Sequence, residues 1–364
     1  MNQRWPEWLS LNENIRALKP YGAPQIPAQV RLNTNENPYH LEEGLQSKII
    51  SEISKRVGNL NRYPDRDAVE LRTSLAAYIN GISKTDFSYE QIWAANGSNE
   101  ILQSIVLAFA GDAMGFEPSY SMHPLITKSV DKKWISISRG PEFIFELDVA
   151  MEAIKTQRPG IVFLTTPNNP TGGSISLTDI AEVARIALSV GAILVVDEAY
   201  AEFSKQSSAV TIIKDHPNLI VSRTMSKAFA FAGARLGYMI SNPILVDAML
   251  LVRLPYHLSE LTQAAALAAL QNRSGLQQQV EQIKNSRDFL EQELSKLGLN
   301  VISSDANFLM FSGFNASSQE LWQRLVDRQV LIRDVGIAGY LRVTIGTESE
   351  NKAFLAALQQ ALHS

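Results

Sequence analysis

The chain has no cysteine among its 364 residues, which excludes a disulfide framework and any thiolate metal site. It also lacks a long apolar run, so nothing in it offers the roughly 20 consecutive apolar residues a bilayer-crossing helix needs. The opening "MNQRWPEWLSLNEN" has no basic start followed by an apolar core, the pattern of a secretory signal. No positive charge is in excess: 33 Lys and Arg stand against 37 Asp and Glu, a formal net charge of -4. A basic face for phosphodiester backbones is therefore absent, and nucleic acid is not an expected partner. Internal repeats, low-complexity tracts and charge runs are missing too. These absences lead to the expectation of a cytoplasmic protein with no metal and no membrane contact.

What is present is material for a core. Hydrophobic residues make up 45% and charged residues 19%, and the length suits two domains or one large domain with a smaller companion. Organisation is clearest in the middle. "IVFLT" at 161–165 is a short β-branched run ending in the turn-rich "TPNNPTGG". The following "SLTDIAEVARIALSV" carries Ile180, Val183, Ala184, Ala187 and Val190 at helical spacing, and Ser176 with Asp179 offers a capping box. "AILVVDEAY", "LIVSRT" and "LGYMIS" are further buried-strand runs. Apolar strands alternating with amphipathic helices predict an α/β fold with a covered, mostly parallel sheet.

The last third changes character. "LQQQVEQIKNSRDFLEQELSKLG" puts Leu276, Val280, Ile283, Leu290, Leu294 and Leu297 on one helix face, interrupted at Arg287, with Gly298 as the stop. After it come "VISSDANFLMF", a capped "SSQELWQRLVDRQ", the strands "VLIRDV" and "LRVTIG", and a final helix after Thr347. The expected domains are 31–256, a large unit, and 257–364, a smaller α+β unit. Residues 1–30 are too few to fold alone and are expected to lie across the small domain or a partner subunit.

Several short motifs carry chemistry, each with a plainer alternative. Asp197, in "DEAY", closes an apolar strand at the edge where open α/β sheets bind ligands. There it is either a turn-forming aspartate or a carboxylate that needs a cationic partner. Lys227, in "RTMSKAFAFAGARLGY", sits among small and apolar residues, so it is either a snorkelling surface lysine or a desolvated amine with a lowered pKa, suited to act as nucleophile and base. "NGSNE" at 96–100 precedes an apolar-periodic helix, giving either an ordinary cap at Ser98 or a set of free backbone N–H groups for an anion. "PNNPTGG" is a turn unless its asparagine meets a ligand.

The order of these motifs, NGSNE, Tyr120, PNNPTG, DEAY, then SK with Arg235 eight residues past Lys227, resembles the fold type I pyridoxal-phosphate aminotransferases, classes I and II. The resemblance runs nearly end to end, from "RALKPYGAP" and "RLNTNENPY" through "RYPD" and "GFEPSYSMHPLI" to "VLIRD" and "LRVTIGT". These flanking motifs are most similar to the histidinol-phosphate aminotransferase branch. The resemblance implies a large domain with a mostly parallel seven-stranded sheet plus a smaller α+β C-terminal domain, and pyridoxal 5'-phosphate as cofactor. It makes Lys227 the covalent anchor and proton shuttle, Asp197 the partner of the ring nitrogen, Asn169 and Tyr200 the partners of the phenolic oxygen, and Tyr120 the ring that stacks on it. The cofactor phosphate falls to Ser98, Asn99, Thr224, Ser226 and Arg235. Many relatives have an acidic residue where this chain has Asn99, which as an amide can donate.

For substrate, the resemblance implies Tyr21, Asn35, Asn169, Arg333 and Arg342, with Arg342 as the main anion clamp. For Arg333 the plainer alternative is a salt bridge with Asp334 or a neighbour. Two guanidinium forks suit an enzyme that takes in turn a phosphate-bearing amino donor and 2-oxoglutarate. Tyr63 matches a residue that reaches the cofactor of a partner subunit, implying a homodimer with shared active sites. His123 and His257 are either pocket residues or buried, satisfied histidines. An aromatic amino-acid aminotransferase and a threonine-phosphate decarboxylase are the alternative activities on this scaffold.

Overall fold

The computed structural model describes residues 5–363 except Glu7, Ala17 and Lys19. Parts of the expected N-terminal segment, residues 1–4, 7, 17 and 19, thus lie outside the described residues, as does 364. The strands in chain order are β1 Val30–Arg31, β2 Ile92–Ala95, β3 Ala113–Glu117, β4 Trp134–Ser138, β5 Ile161–Thr165, β6 Ile193–Asp197, β7 Leu219–Thr224, β8 Gly237–Ser241, β9 Asn300–Ile302, β10 Phe308–Ser312, β11 Val330–Leu331, β12 Arg333–Asp334 and β13 Leu341–Thr344.

Seven of them form one sheet in the order β2-β8-β7-β6-β5-β3-β4. β8 runs antiparallel to both neighbours, and the other pairings are parallel. The apolar runs have no polar alternation because helices cover both faces. Successive residues point to opposite sides: Val162 and Leu164 of β5 join one core cluster, while Ile161 and Phe163 join the other. Helix Leu177–Ser189 begins as expected, with Ser176 Oγ accepting the Asp179 N–H at 3.1 Å. Its aspartate does not return the bond to the Ser176 backbone, so half of the expected capping box is present.

The C-terminal part carries a second, four-stranded antiparallel sheet in the order β12-β13-β10-β9. The long helix spans Ser274–Lys296, and Gly298 ends it with a φ of +79°. Arg287, which breaks the apolar stripe, is buried nonetheless. Its guanidinium donates to the Ala306 carbonyl at 3.1 Å and the Phe203 carbonyl at 3.4 Å, tying the helix to both sheets' connecting segments.

β1 pairs in parallel with β11, three hundred residues away in sequence: Val30 faces Val330. Just after it, the Leu32 N–H donates to the Leu331 carbonyl and the Leu32 carbonyl accepts the Thr344 N–H, at 2.8 and 2.9 Å. The segment 33–36 that follows is thereby anchored to the edge of the four-stranded sheet.

Candidate active site

A parallel sheet ends all its strands at one edge, and here that edge collects the chemistry. Thr165 of β5 is in register with Asp197 of β6, Asp197 with Ser222 of β7, and Thr224 of β7 with Gly237 of β8. The loops beyond this edge and the segment 33–36 enclose a cleft of about 420 Å³. Every site residue expected from the sequence lines it, with Tyr63 as the exception.

At one end lies a set of hydrogen-bond donors. Helix Ser98–Ala108 starts here, so its first N–H groups are free to face an anion. Two glycines make the approach possible. A Cβ on Gly237 would lie 2.3 Å from the Gly97 carbonyl carbon and the Ser98 nitrogen, and one on Gly97 would lie 2.5 Å from Arg235 Nη2. Arg235 therefore lies directly against the start of the helix, its Nη1 donating to the Ala232 carbonyl at 3.1 Å and reaching Ser226 Oγ at 3.4 Å. The Thr224 and Ser226 hydroxyls are 3.0 Å apart beside it. Asn99 settles its own orientation: its Oδ1 accepts the Tyr120 hydroxyl at 3.1 Å, which leaves the Nδ2 group as the donor. Burial pushes the Tyr120 phenol up, so it stays protonated.

Asp197 sits at the floor, 2% exposed. One oxygen, Oδ2, meets His123 Nε2 at 3.2 Å, and the other, Oδ1, is buried with no hydrogen-bond partner among the described residues. A buried carboxylate oxygen without a donor is costly, and this one borders the cleft. His123 itself is buried, stacks on Phe163 at 4.6 Å and does not line the cleft. His257 is a packing residue too: its Nε2 is 2.9 Å from the Ala94 carbonyl and its ring stacks on Trp93.

Lys227 projects into the middle of the cleft, its Nζ donating to the Thr34 carbonyl at 3.0 Å. Burial, with the charges of Arg342 and Arg235 added, pushes its pKa down to about 8; Glu36 opposes the shift. An amine so placed is neutral in a substantial fraction near pH 8, as a nucleophile or base must be. Tyr200 lies nearby with its hydroxyl accepting from Asn35 Nδ2 at 3.0 Å, and burial raises its pKa. Asn35 is fixed in turn by Thr344, whose hydroxyl donates to Asn35 Oδ1 at 3.0 Å.

The far end is built for an anion. Arg342 is 6% exposed, with its guanidinium 5.0 Å over the Phe308 ring. It donates to the Asn33 carbonyl at 3.0 Å and to Asn169 Oδ1, leaving the Asn169 Nδ2 free to donate elsewhere. Burial, helped by the neighbouring charge of Arg333, pushes its pKa down to about 10. Arg333 is opposite Arg342 in the β12–β13 register. Its alternative role as a salt-bridge residue is not realised: no carboxylate lies within 4.0 Å of Arg333 or Arg342 among the described residues, and Asp334 instead accepts the Gly336 N–H. Tyr21 borders this end, half exposed. Two guanidinium groups on register-paired residues, without a counter-ion within 4.0 Å among the described residues, have the chemistry to take a doubly charged or bidentate anion.

Tyr63 stands apart. It is 78% exposed and stacks on Tyr256, ring centroids 4.4 Å apart. Other groups reach the site without any signal in the sequence: the main-chain carbonyls of Asn33 and Thr34; His123, open between two readings in the sequence, is the buried one, behind Asp197.

A family model described as aminotransferase class I and II matches residues 27–358. The chain belongs to that family. It is 51% identical over 353 residues to the histidinol-phosphate aminotransferase of Mycolicibacterium smegmatis, covering 96% of this chain and 92% of that one. It is 50% identical over 358 residues to the protein of that name from Corynebacterium glutamicum, covering 97% of each. In fold it is similar to the crystal structure of histidinol-phosphate aminotransferase from Sinorhizobium meliloti in complex with pyridoxal-5'-phosphate, with a TM-score of 0.86 at 24% identity over 97% of this chain and 98% of that one. Aspartate aminotransferase from Thermus thermophilus with maleate matches at a TM-score of 0.84 and 21% identity, over 97% of this chain and 100% of that one. These likenesses establish the fold type I architecture expected from the sequence. Among the described residues no helix is long and apolar enough to cross a membrane, and no cluster of acids and histidines is placed to hold a metal.

Proposed function

We propose that this aminotransferase uses pyridoxal 5'-phosphate to move the amino group of L-histidinol phosphate to 2-oxoglutarate, yielding imidazole acetol phosphate and L-glutamate. About 50% identity over nearly the full length to proteins of that activity supports the reading. The single structural observation that carries it is the buried Arg342 beside Arg333, neither with a counter-ion within 4.0 Å among the described residues. Histidinol phosphate has no carboxylate, so its phosphate has to occupy the place that the α-carboxylate of glutamate takes in the other half-reaction. A planar fork pairs with either.

The residues present fit the cofactor. Asp197 Oδ1, buried and without a donor, suits a protonated ring nitrogen. The Ser98 N–H and hydroxyl, Asn99 Nδ2, Thr224, Ser226 and Arg235 form a cradle for a phosphate. Bound there, the cofactor supplies a carbonyl for the amino group and a conjugated ring for the electrons of the breaking C–H bond. The chain does the rest. Lys227 would hold the cofactor covalently; once the substrate's amine has displaced it, its freed Nζ would take the proton from the substrate carbon and deliver it to the cofactor's former carbonyl carbon rather than back to the substrate. Asp197 would keep the ring nitrogen protonated by its charge, with His123 holding its Oδ2 in place. Asn169 through its Nδ2 group and Tyr200 would hold the phenolic oxygen, Tyr120 would cover the ring, and Arg342, Arg333, Tyr21 and Asn35 would orient the substrate.

The same reading takes the protein as a cytoplasmic homodimer in which Tyr63, exposed and remote from its own cleft, completes the partner's. It also takes 31–256 as the large domain and 257–364 as the small one, with 1–30 packed on the small domain or a partner subunit. A half-reaction panel tests the activity. Cofactor-loaded enzyme is mixed in turn with histidinol phosphate, phenylalanine and threonine phosphate, and the cofactor absorbance is followed. Rapid conversion by histidinol phosphate alone is expected. Faster conversion by phenylalanine would install the aromatic aminotransferase instead, and release of CO2 from threonine phosphate would install the decarboxylase.

A further inference from the structure

The cleft is cationic, with Lys227, Arg235, Arg333 and Arg342 facing three acids, Asp197, Glu36 and Asp334. Two of those acids have work. Asp197 lies on the floor against His123, and Asp334 accepts the Gly336 N–H at 2.9 Å. Glu36 is left. Its Oε2 accepts the Thr34 hydroxyl at 2.7 Å, and its Oε1 has no hydrogen bond among the described residues. Thr34 also holds the reactive lysine, its carbonyl accepting from Lys227 Nζ at 3.0 Å. One residue thus positions both the amine and the acid, and the charge of Glu36 is felt at Lys227.

The backbone beneath Glu36 is fixed. Asn35 takes a left-handed φ of +56°, its N–H donates to Thr344 Oγ1 at 3.0 Å, and its carbonyl accepts Asn307 Nδ2 at 3.1 Å. On the other side Asn37 Nδ2 reaches the carbonyl of Ala228, the residue after Lys227, at 3.4 Å. The carboxylate is therefore presented from a rigid segment beside the reacting amine. It also borders a second hollow, running outward past Ser226 and Ala232.

We propose that Glu36 is the specificity residue for the amino donor, accepting an N–H of the substrate's imidazole ring through its free carboxylate oxygen. This deepens, and rests on, the reading of the cleft as a histidinol-phosphate site. An anion clamp alone cannot tell one phosphate-bearing amine from another. A carboxylate is acceptor-only, and imidazole offers one N–H when neutral and two when protonated. Glu36 is exposed to solvent in this structure, and a bound ring would cover it: a phenyl ring offers no N–H and would take the carboxylate out of water without a partner, which is how a polar site rejects an apolar analogue.

The test uses two amino donors that share the phosphate and differ in the ring, histidinol phosphate and phenylalaninol phosphate, on the cofactor-loaded enzyme. For the wild type, kcat/KM should favour histidinol phosphate. Glu36→Ala should shrink that preference roughly ten- to a hundredfold, the range of one lost hydrogen bond to a charged group, with the loss on the histidinol phosphate side and mostly in KM. Glu36→Gln, which keeps an acceptor without the charge and preserves the shape, should fall between them, and it decides the matter if the alanine variant does not fold. A preference unchanged in both variants, or two substrates losing kcat/KM in equal proportion, would overturn the proposal. A wild type that turns over neither phosphate would refute instead the reading on which it rests.

Discussion

Asp197 and His123 face each other inside the protein, Oδ2 to Nε2 at 3.2 Å, both 2% exposed, while the second Asp197 oxygen has no partner. The histidine fixes one half of the carboxylate and leaves the other half aimed at the cleft. Replacing Asp197 with Asn preserves shape and removes the charge that would keep a ring nitrogen protonated. The expected result is a half-reaction slowed by at least about a hundredfold, with the thermal midpoint little changed. Stopped-flow absorbance on Asp197→Asn measures it, and an unimpaired variant would remove Asp197 from the chemistry.

Lys227 gives a pH-dependent expectation in the cofactor-free protein. Its pKa is about 8 in the fold against an ordinary 10.5. Below pH 8 the ammonium is charged in both states and burial penalises the folded one. Between about pH 8 and 10.5 the unfolded chain binds the proton and the folded chain does not, so stability rises with pH across that window. Lys227→Met removes the penalty. It should be more stable than the cofactor-free wild type at pH 7, by roughly 2 to 4 kcal/mol, with the gap closing toward pH 10.5. Denaturant midpoints over pH 7 to 10.5 check this, and parallel curves for the two proteins would contradict it.

Tyr63 is tested by mixing two crippled proteins. If its ring serves the partner's site, Lys227→Ala and Tyr63→Ala subunits exchanged into mixed dimers rebuild one complete site per mixed dimer. Activity then returns to about a quarter of the wild-type level. If Tyr63 serves its own subunit, the mixture stays at or below the level of Tyr63→Ala alone.

Much of this was legible in the sequence because it lies in short, contiguous signals. The runs at 161–165 and 219–224 are strands over those residues, since uniform apolarity leaves a covered parallel sheet as the economical outcome. Lys227 and Arg235 stood out because single charges amid small and apolar residues mark places where a ligand approaches closely. The antiparallel insertion of β8 was hidden, because a strand's direction depends on the loop that leads to it and leaves no periodic mark. Also hidden were Thr34 and Asn33, which act through main-chain carbonyls that any side chain could carry, and the pairing of β1 with β11, a contact across three hundred residues. His123 was left between two readings because its partner Asp197 is 74 residues away. The match of Tyr63 to a shared-site residue came from resemblance, and its position outside its own cleft follows from nothing local.

The central claim, that one buried guanidinium receives the amino donor and the amino acceptor in turn, is most directly tested by Arg342→Ala in two separate half-reactions, histidinol phosphate with the pyridoxal form and 2-oxoglutarate with the pyridoxamine form. Arg342 is deeply buried with no counter-ion within 4.0 Å among the described residues, and truncating a charge-assisted bidentate contact costs ~2 to 4 kcal/mol in such a setting. Both specificity constants should therefore fall roughly 30- to 1000-fold, while cofactor absorbance is retained because Lys227, Asp197 and Arg235 are intact. Arg342→Lys should recover only part of the loss in each, a point charge being a poor copy of a planar fork. An Arg342→Ala enzyme that loses one half-reaction and spares the other would contradict the claim.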